Sequence, residues 1–245
     1  MNKGHGLGYL QRISREYQAS FDRRLKSERA MLHSNYAKID APNGQPFYVS
    51  TIDLINESCC ASIEDIGYLV TSVFPQVTTL TPQDQMSLLK SFAAGFLTME
   101  GNYLTDKFFR GISRYFVISP ATFMDMERPE IFVHAIGEGQ KDLAKAIRFY
   151  SKKSIDFVPW IPERVIEIGH TIKARVYEEL NWYYKNVLKC DDVASRIGRL
   201  MLFIHAAQEA SILQQEELAA YYLLGAMKDR DFLYTVACGG ELSHS

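Results

Sequence analysis

The chain has 245 residues, of which 47% are hydrophobic and 23% are charged, and its formal net charge is −2. This composition is typical of a folded globular protein, and the near-neutral charge predicts no direct binding to nucleic acid. No apolar segment reaches the roughly 20 residues that span a bilayer, and the N-terminal residues lack the apolar core of a signal peptide, so we expect neither a membrane anchor nor secretion. Because no Gly-, Ser- or Pro-rich linker interrupts the sequence, we expect one domain over residues 1–245.

The first part of the chain predicts two helices joined by a loop. Residues 8–32 place an apolar side chain at every third or fourth position among Arg, Lys and Glu, which indicates an amphipathic helix on the outside of the protein. Residues 33–48 are rich in Asn, Pro and Gly and predict a loop. Residues 51–74 are apolar around most of a helical circumference, which predicts a buried helix that ends before Pro75.

The clearest helix start in the sequence is at Thr81 and Pro82. The Thr81 hydroxyl can accept a hydrogen bond from the free N–H groups of the first turn, and Pro82 has the backbone conformation of a first helical residue. Asp84 places a carboxylate near the positive end of the helix. The segment stays apolar to about Thr105, so we expect this helix in the middle of the fold.

The second half of the chain is predicted to be almost entirely helical. Residues 111–126 carry the only strand pattern, which predicts one small β-hairpin. Helical periodicity resumes in residues 143–150 and 163–184, and a final long helix begins after a cap at Asp191 or Asp192. The predicted fold class is therefore all-α, with helices packed in layers and one small β-hairpin.

The sequence contains no residue pattern typical of catalysis or of a metal site. The six histidines are scattered; His205 and Glu209 are one helical turn apart, but such pairs commonly form only a hydrogen bond. The four cysteines lack the paired spacing of a zinc module, and adjacent Cys59 and Cys60 are typical of small buried hydrophobic residues. We therefore expect no enzyme, no metal and no cofactor, and a helical-bundle enzyme that uses His205 or His134 is the least favoured alternative.

Two blocks of the sequence form a more specific pattern. The first combines a Pro, spaced apolar residues and an Asp-Gln-x-x-Leu-Leu helix start, and the second joins the end of one long helix to the start of the next. Together they resemble nuclear hormone receptor ligand-binding domains, particularly the divergent nematode branch related to hepatocyte nuclear factor receptors, and the resemblance extends by layout over roughly the whole chain. The matching residues are Pro75, Val77, Leu80, Asp84, Gln85, Leu88, Leu89 and Lys90 in the first block, and Glu179, Leu180, Tyr183, Tyr184, Ala194, Ser195, Arg196, Ile197, Gly198 and Leu200 in the second.

The resemblance implies a three-layer antiparallel helical sandwich that encloses a cavity for a small lipophilic ligand. Some receptors hold a ligand carboxylate with an Arg at the end of the central helix, but Leu104 stands at that position here, so we do not expect an acid held in this way. The alternative is that the same apolar residues form an ordinary filled core. The candidate pocket residues are Cys59, Cys60, Phe92, Phe96, Met99, Tyr115 and Phe116.

The resemblance also implies a groove that binds a short amphipathic helix of a coregulator protein, with a Lys and a Glu at the two ends of that helix. Ser72 stands where the Lys would be, and Thr235, in a candidate activation helix at residues 232–237, stands where the Glu would be. Because both charges are missing, we expect a weakened or altered coregulator groove. Its candidate residues are Ser72, Val77, Lys90, Phe232 and Thr235.

The final long helix is the dimer-forming element in the family that the sequence resembles. One apolar stripe of this helix fits the protein core. The resemblance implies that a second face meets another nuclear receptor, in a homodimer or a heterodimer. The candidate dimer residues are Arg199, Phe203 and Leu213.

From the sequence we therefore expect the ligand-binding and dimerisation domain of a divergent, orphan-like nuclear receptor that regulates transcription in the nucleus. The zinc-containing DNA-binding module of the family is not found in this chain. The alternative from another class is a helical scaffold or adaptor with a filled core and no ligand. A large closed cavity near Cys60, Phe96 and Tyr115 would favour the receptor over the adaptor.

Overall fold

The computed structural model describes residues 8–32, 36–128, 131 and 163–223. In these residues the fold is mostly helical, with one small sheet. The predicted helix at residues 143–150 lies outside the described part. The elements in chain order are α1 (Gly8–Met31), β1 (Lys38–Asp40), β2 (Pro46–Val49), α2 (Ile52–Val73), a 3-10 helix (Pro75–Thr79), α3 (Pro82–Phe109), β3 (Tyr115–Ser119), β4 (Thr122–Asp125), α4 (Glu163–Asn186) and α5 (Val193–Leu223).

The helix starts that the sequence predicts are confirmed. The Thr81 hydroxyl accepts a hydrogen bond from the Asp84 N–H at 3.2 Å, with Pro82 in the first helical position. The Asp192 carboxylate accepts a bond from the Ser195 N–H at 2.9 Å and so caps α5. In both cases a short side chain satisfies an N–H group that the helix cannot pair internally.

The prediction of a loop over residues 33–48 is wrong for two short stretches within it, because β1 and β2 form an antiparallel hairpin. Its turn is closed by a hydrogen bond of 2.8 Å from the Ala41 N–H to the Gln45 carbonyl. Gly44 has a φ of 82°, which glycine adopts without steric cost. The Pro-Asn-Gly sequence is thus the turn of a hairpin rather than part of a longer loop.

The sheet has four strands in the order β1-β2-β4-β3, so the prediction of one hairpin in an otherwise all-α fold is wrong in this respect. The predicted β3–β4 hairpin is present. It is joined to the first hairpin by a parallel pairing of β2 with β4, in which Tyr48 lies opposite Thr122. Each hairpin alone would leave its edges unpaired, and their pairing satisfies one edge of each.

The sheet packs directly against α3. A Cβ atom on Gly101 would lie 2.8 Å from the Val117 carbonyl oxygen, so only glycine permits this close approach. One turn later, the Thr105 hydroxyl accepts a hydrogen bond from the Val117 N–H at 2.9 Å. The core between the helices and the sheet contains Phe21, Ala41, Phe47, Leu104, Phe108, Phe109, Val117 and Phe123.

Helix α3 lies in the interior, as its apolar sequence predicts. It contacts α2, β3 and α5, and Ala93 and Leu104 are fully buried. On its N-terminal half, Phe96 packs in a second cluster with Ile66, Leu69 and Val73 of α2. The helix therefore links the sheet to the rest of the helical body.

Helix α1 packs against α2 and is fixed at its N-terminus by α4. The Glu179 carboxylate accepts hydrogen bonds from the Tyr9 N–H at 2.8 Å and the Leu10 N–H at 3.0 Å. A buried carboxylate at the positive end of a helix satisfies free N–H groups and also interacts favourably with the helix dipole. In this way α4 supplies the cap that the sequence of α1 does not contain.

Candidate functional site

An apolar groove lies between the C-terminal part of α2 and the start of α3, with the 3-10 helix at one end. It is half-open and has a volume of about 360 Å³. We call it the α2–α3 groove and define it by its lining residues, none of which has an ionisable side chain. They are Gly67, Val70, Thr71, Val77, Pro82, Gln85, Met86, Leu88, Leu89 and Phe92.

The shape of this groove follows from the helix breaks on either side of the 3-10 helix. Pro75 ends α2, and the 3-10 helix buries Val77, of which 4% is exposed, beneath the groove. At the start of α3, the Gln85 side-chain amide donates a hydrogen bond of 3.0 Å to the Leu80 carbonyl. Buried Val77 and the hydrogen bond from Gln85 to Leu80 therefore both stabilise the turn between the two helices.

The groove lies where the sequence resemblance places a coregulator site, but only part of the predicted set can be located. Val77 lines it, and half-buried Ser72 is next to the lining residue Thr71. The Lys90 side chain, Phe232 and Thr235 lie outside the described part of the chain. The groove that is described offers apolar contact and two polar side chains, Thr71 and Gln85, to a bound segment.

The candidate ligand-pocket residues are divided between two regions. Phe92 and Phe96 are in ring contact, with centroids 5.3 Å apart, and Phe96 belongs to the cluster with α2. Tyr115 belongs instead to the sheet core, where its ring lies 5.1 Å from that of Phe123. Phe116 lies 3.4 Å from the Cβ position of Gly101.

The remaining candidate pocket residues differ in exposure. Met99 and Cys59 are half-buried, and Cys60 is exposed. Burial, with a smaller contribution from the nearby Glu28 carboxylate, raises the pKa of the Cys59 thiol to about 12. The thiol is therefore protonated at neutral pH, which lowers its reactivity as a nucleophile. Leu104, at the position of the family Arg, is fully buried in the sheet core.

A buried charged network that the sequence reading missed joins α1 to α3. The Arg24 guanidinium donates two hydrogen bonds to the Glu100 carboxylate, at 2.7 and 2.5 Å, and the two side chains are 1% and 3% exposed. The Tyr17 hydroxyl is buried beside this pair, and burial followed by the charge of Glu100 raises its pKa. The pair is a fixed link between the two helices in a region of low dielectric constant.

The same network continues to α2 and the sheet through Glu28. Its carboxylate accepts hydrogen bonds from the Ser58 hydroxyl at 2.6 Å, the Ser119 hydroxyl at 2.8 Å and the Ala121 N–H at 2.8 Å. Burial raises the pKa of Glu28, although these three donors and Arg24 act in the opposite direction. Glu28 is therefore the point at which α1, α2 and the turn between β3 and β4 meet.

The sequence does contain a signal for this network. Tyr17, Phe21, Arg24 and Glu28 follow one another at spacings of four, three and four, so they occupy one face of α1. An amphipathic helix on the outside of the protein would expose Arg24 and Glu28, because charged side chains are rarely buried without a partner. The partner residues Ser58, Glu100 and Ser119 are too distant in sequence for the pairing to be recognised.

Helix α5 exposes a large apolar surface. Leu202 is 71% exposed, Phe203 is 52% exposed and Leu213 is 61% exposed. With Arg199, Ala206 and Glu209 they lie on one side of the helix, which we call the α5 outer face. The predicted inward stripe lies on the opposite side. Val193, Ile197, Leu200 and Ala207 of this stripe are half-buried, whereas Ile204 is 37% exposed. The candidate dimer residues Arg199, Phe203 and Leu213 are thus all exposed on the same face.

Other kinds of site receive no support from the described residues. No three His, Cys, Asp or Glu side chains in this part of the chain come together in a way that could hold a metal ion. The nitrogen of exposed His205 lies 3.5 Å from the Glu209 carboxylate, which is the spacing of an ordinary surface pair. None of the described helices combines the length and the apolar character that crossing a bilayer requires.

Comparisons of this chain with protein-family models, with curated proteins and with solved structures found no match. The class of the protein is therefore stated from its architecture: a mostly helical chain with a four-stranded mixed sheet. Among the described residues, the α2–α3 groove and the α5 outer face have the geometry of binding surfaces.

Proposed function

We propose that this chain is the ligand-binding and dimerisation domain of a divergent nuclear receptor that regulates transcription in the nucleus, and that it has no catalytic role. In this proposal the helices form a three-layer sandwich, with α3 in the middle layer. The proposal is supported by the sequence resemblance and by the order of the described elements. The observation that carries it furthest is the exposure of the α5 outer face.

The α5 outer face has the character of a surface that is covered in an assembly. Leu202, Phe203 and Leu213 are each more than half exposed and lie on one side of a single helix. Isolated exposed apolar residues are common, but a continuous apolar patch on a soluble protein usually marks an interaction surface. A second copy of the same helix would present a matching apolar face across a two-fold axis. We therefore propose a homodimer through α5, with another nuclear receptor as the alternative partner.

The dimer is tested by replacing two residues at the centre of the face. We expect the purified wild-type chain to be dimeric at micromolar concentration, and the double substitution Leu202→Asp and Phe203→Asp to weaken dimerisation by about 100-fold or more, because buried apolar side chains dominate such interfaces. Native mass spectrometry and sedimentation velocity measure this directly. The spectrum also shows whether the protein retains a small molecule.

The matched control for this experiment is Ile112→Asp. Ile112 is also an exposed apolar residue, at 38%, but it lies in the turn before β3. This variant should dimerise like the wild type. A monomeric wild-type protein, or equal loss of the dimer in the control, would contradict the proposed interface.

The α2–α3 groove supports the second part of the proposal, which is the binding of a coregulator helix. Its apolar lining, with Leu88 and Leu89 on the α3 side, suits the apolar face of an amphipathic helix. Its lining residues supply no charge to meet the ends of that helix, and Ser72 stands at the position of the family Lys. The proposed partner therefore depends on apolar contact more than on charged contacts at its ends.

A peptide titration tests the groove. We expect a standard Leu-x-x-Leu-Leu peptide to bind more weakly than micromolar, because the charges that hold its ends are missing. Fluorescence anisotropy gives the dissociation constant, and Leu88→Asp should remove the remaining binding. Micromolar binding that is lost on Lys90→Ala would contradict the weakened groove.

The second candidate function is a helical scaffold or adaptor with a filled core and no ligand. It is favoured by one observation: the candidate pocket residues Phe96 and Tyr115 pack in two different hydrophobic clusters, which meet at Tyr17. Under the receptor proposal, a small apolar ligand shifts the balance between conformations that differ in partner affinity. Under the adaptor proposal, the α5 and groove contacts form without any ligand.

A further inference from the structure

A second apolar cavity lies beside the α2–α3 groove. It is bounded by the end of α2, the 3-10 helix, α3 and α4, is half-open like the groove, and has a volume of about 150 Å³. All ten residues that line it are apolar or glycine. It adjoins the groove, with which it shares four lining residues, and six residues line it alone. The shared residues are Val70, Val77, Leu88 and Phe92, and the others are Phe74, Leu80, Val165, Ile168, Gly169 and Ile172.

The wall that α4 contributes is incomplete at Gly169. A Cβ atom built on this residue would have no neighbour within 4 Å. Glycine within a helix costs about 1 kcal/mol relative to alanine, so its presence in the second turn of α4 weakens the helix without improving its packing. The missing side chain leaves the mouth of the cavity open.

The size and lining of the cavity determine which ligand it can bind. Its volume of about 150 Å³ equals that of closed apolar cavities, lined by Leu, Ile and Phe, that bind benzene. A charged or strongly polar group inside would lose its hydration without gaining a hydrogen bond, because the lining side chains offer none. The matching ligand class is a single aromatic ring, or a branched hydrocarbon of the same size.

We propose that this cavity, on the α4 side of the groove, is a binding site for monocyclic apolar molecules. The inference does not depend on the proposed receptor function. It rests on the volume of the cavity, on the apolar lining from four elements and on the open position at Gly169. Bound ligand is in contact with Ile168 and Ile172 of α4.

Fluorobenzene is the probe, and fluorine NMR of the probe measures its binding in solution. We expect saturable binding to the wild-type chain at millimolar probe concentration. Nuclear Overhauser contacts from the probe to the methyl groups of Ile168 and Ile172 should locate it without any substitution. Contacts to Thr71 and Met86, which line only the groove, or no saturable binding, would overturn the proposal.

Two filled variants provide an independent test. Gly169→Leu closes the open mouth, Ile172→Phe enlarges a lining side chain, and each should weaken fluorobenzene binding at least tenfold. Gly198→Leu makes the same glycine replacement on α5, where a Cβ also has no neighbour within 4 Å, and it should leave the affinity unchanged. Circular dichroism identifies the folded variants. Unchanged affinity in a folded cavity variant would overturn the proposal, and the wild-type contacts decide the outcome if neither variant folds.

Discussion

Replacing Arg24 with methionine is expected to lower the free energy of unfolding by about 3–5 kcal/mol, because it removes one partner of a buried ion pair. The Glu100 carboxylate, at 3% exposure, would be left without its two charge-assisted hydrogen bonds. Methionine conserves much of the volume of the arginine stem, so most of the loss comes from the unpaired charge. Urea denaturation followed by circular dichroism measures the change.

The double variant Arg24→Met, Glu100→Leu separates charge from packing. With both charges removed, we expect most of the lost stability to return, since apolar replacements of a buried pair are often neutral or stabilising. Arg15→Met is the control, because Arg15 forms an ion pair with Glu16 on the surface and is 74% exposed. This control should cause no measurable change in the free energy of unfolding. A double variant as unstable as Arg24→Met alone would show that packing, rather than the unpaired carboxylate, causes the loss.

Replacing Glu28 with alanine is expected to cost about 3 kcal/mol or more, because it leaves several buried donors without their acceptor at the meeting point of α1, α2 and the sheet. The Ser58 hydroxyl and the Ala121 N–H both lose their bond to this carboxylate. Glu28→Gln retains a side-chain oxygen as an acceptor and resembles the protonated acid. We therefore expect it to be much less destabilising than alanine, as measured by urea denaturation.

The pH dependence of the glutamine variant has a defined sign. Burial raises the pKa of Glu28 in the folded protein above its ordinary value of 4.5. Between those two pKa values the folded state binds a proton that the unfolded state lacks, so the free energy of unfolding increases as the pH falls through this window. This contribution is complete below the unfolded pKa and is lost as the pH rises through the folded pKa. The Glu28→Gln variant cannot show this pH-dependent contribution to stability.

The measurement is the stability difference between the wild type and Glu28→Gln as a function of pH. We expect the free energy of unfolding of the wild type to rise relative to that of the variant as the pH falls from neutral toward the ordinary glutamate pKa of 4.5. Arg114 lowers the pKa of Asp125 by hydrogen bonding, so protonation of Asp125 weakens the fold at low pH. Both proteins contain this pair, so its effect cancels in the stability difference. A difference that is independent of pH, or that changes in the opposite direction, would contradict the assignment.

The helices could be predicted from the sequence because their signals are local. Thr81, Pro82 and Asp84 determine the start of α3 within four consecutive residues, and Asp192 does the same for α5. The β1–β2 hairpin could not be predicted in the same way, because its strands have three and four residues. Its place in the sheet depends on the pairing of Tyr48 with Thr122, which no local pattern encodes.

The candidate sites show the same division between local and distant information. The exposed positions Arg199, Phe203 and Leu213 follow from helical periodicity once an inward stripe has been chosen. The buried partners of Arg24 and Glu28 cannot be predicted from helical periodicity, since each contact joins residues on separate elements. The ligand-pocket prediction grouped Phe96 with Tyr115 by resemblance alone, and the structure places them in different clusters.

The cap on α1 by Glu179 can form only late in the synthesis of the chain. The Tyr9 N–H and the carboxylate that accepts its bond are 170 positions apart in sequence. At a synthesis rate of roughly 5–20 residues per second, about ten to thirty seconds separate the two on the ribosome. During that interval the first turn of α1 lacks its acceptor and is open to chaperones, even after the rest of the helix has docked on α2.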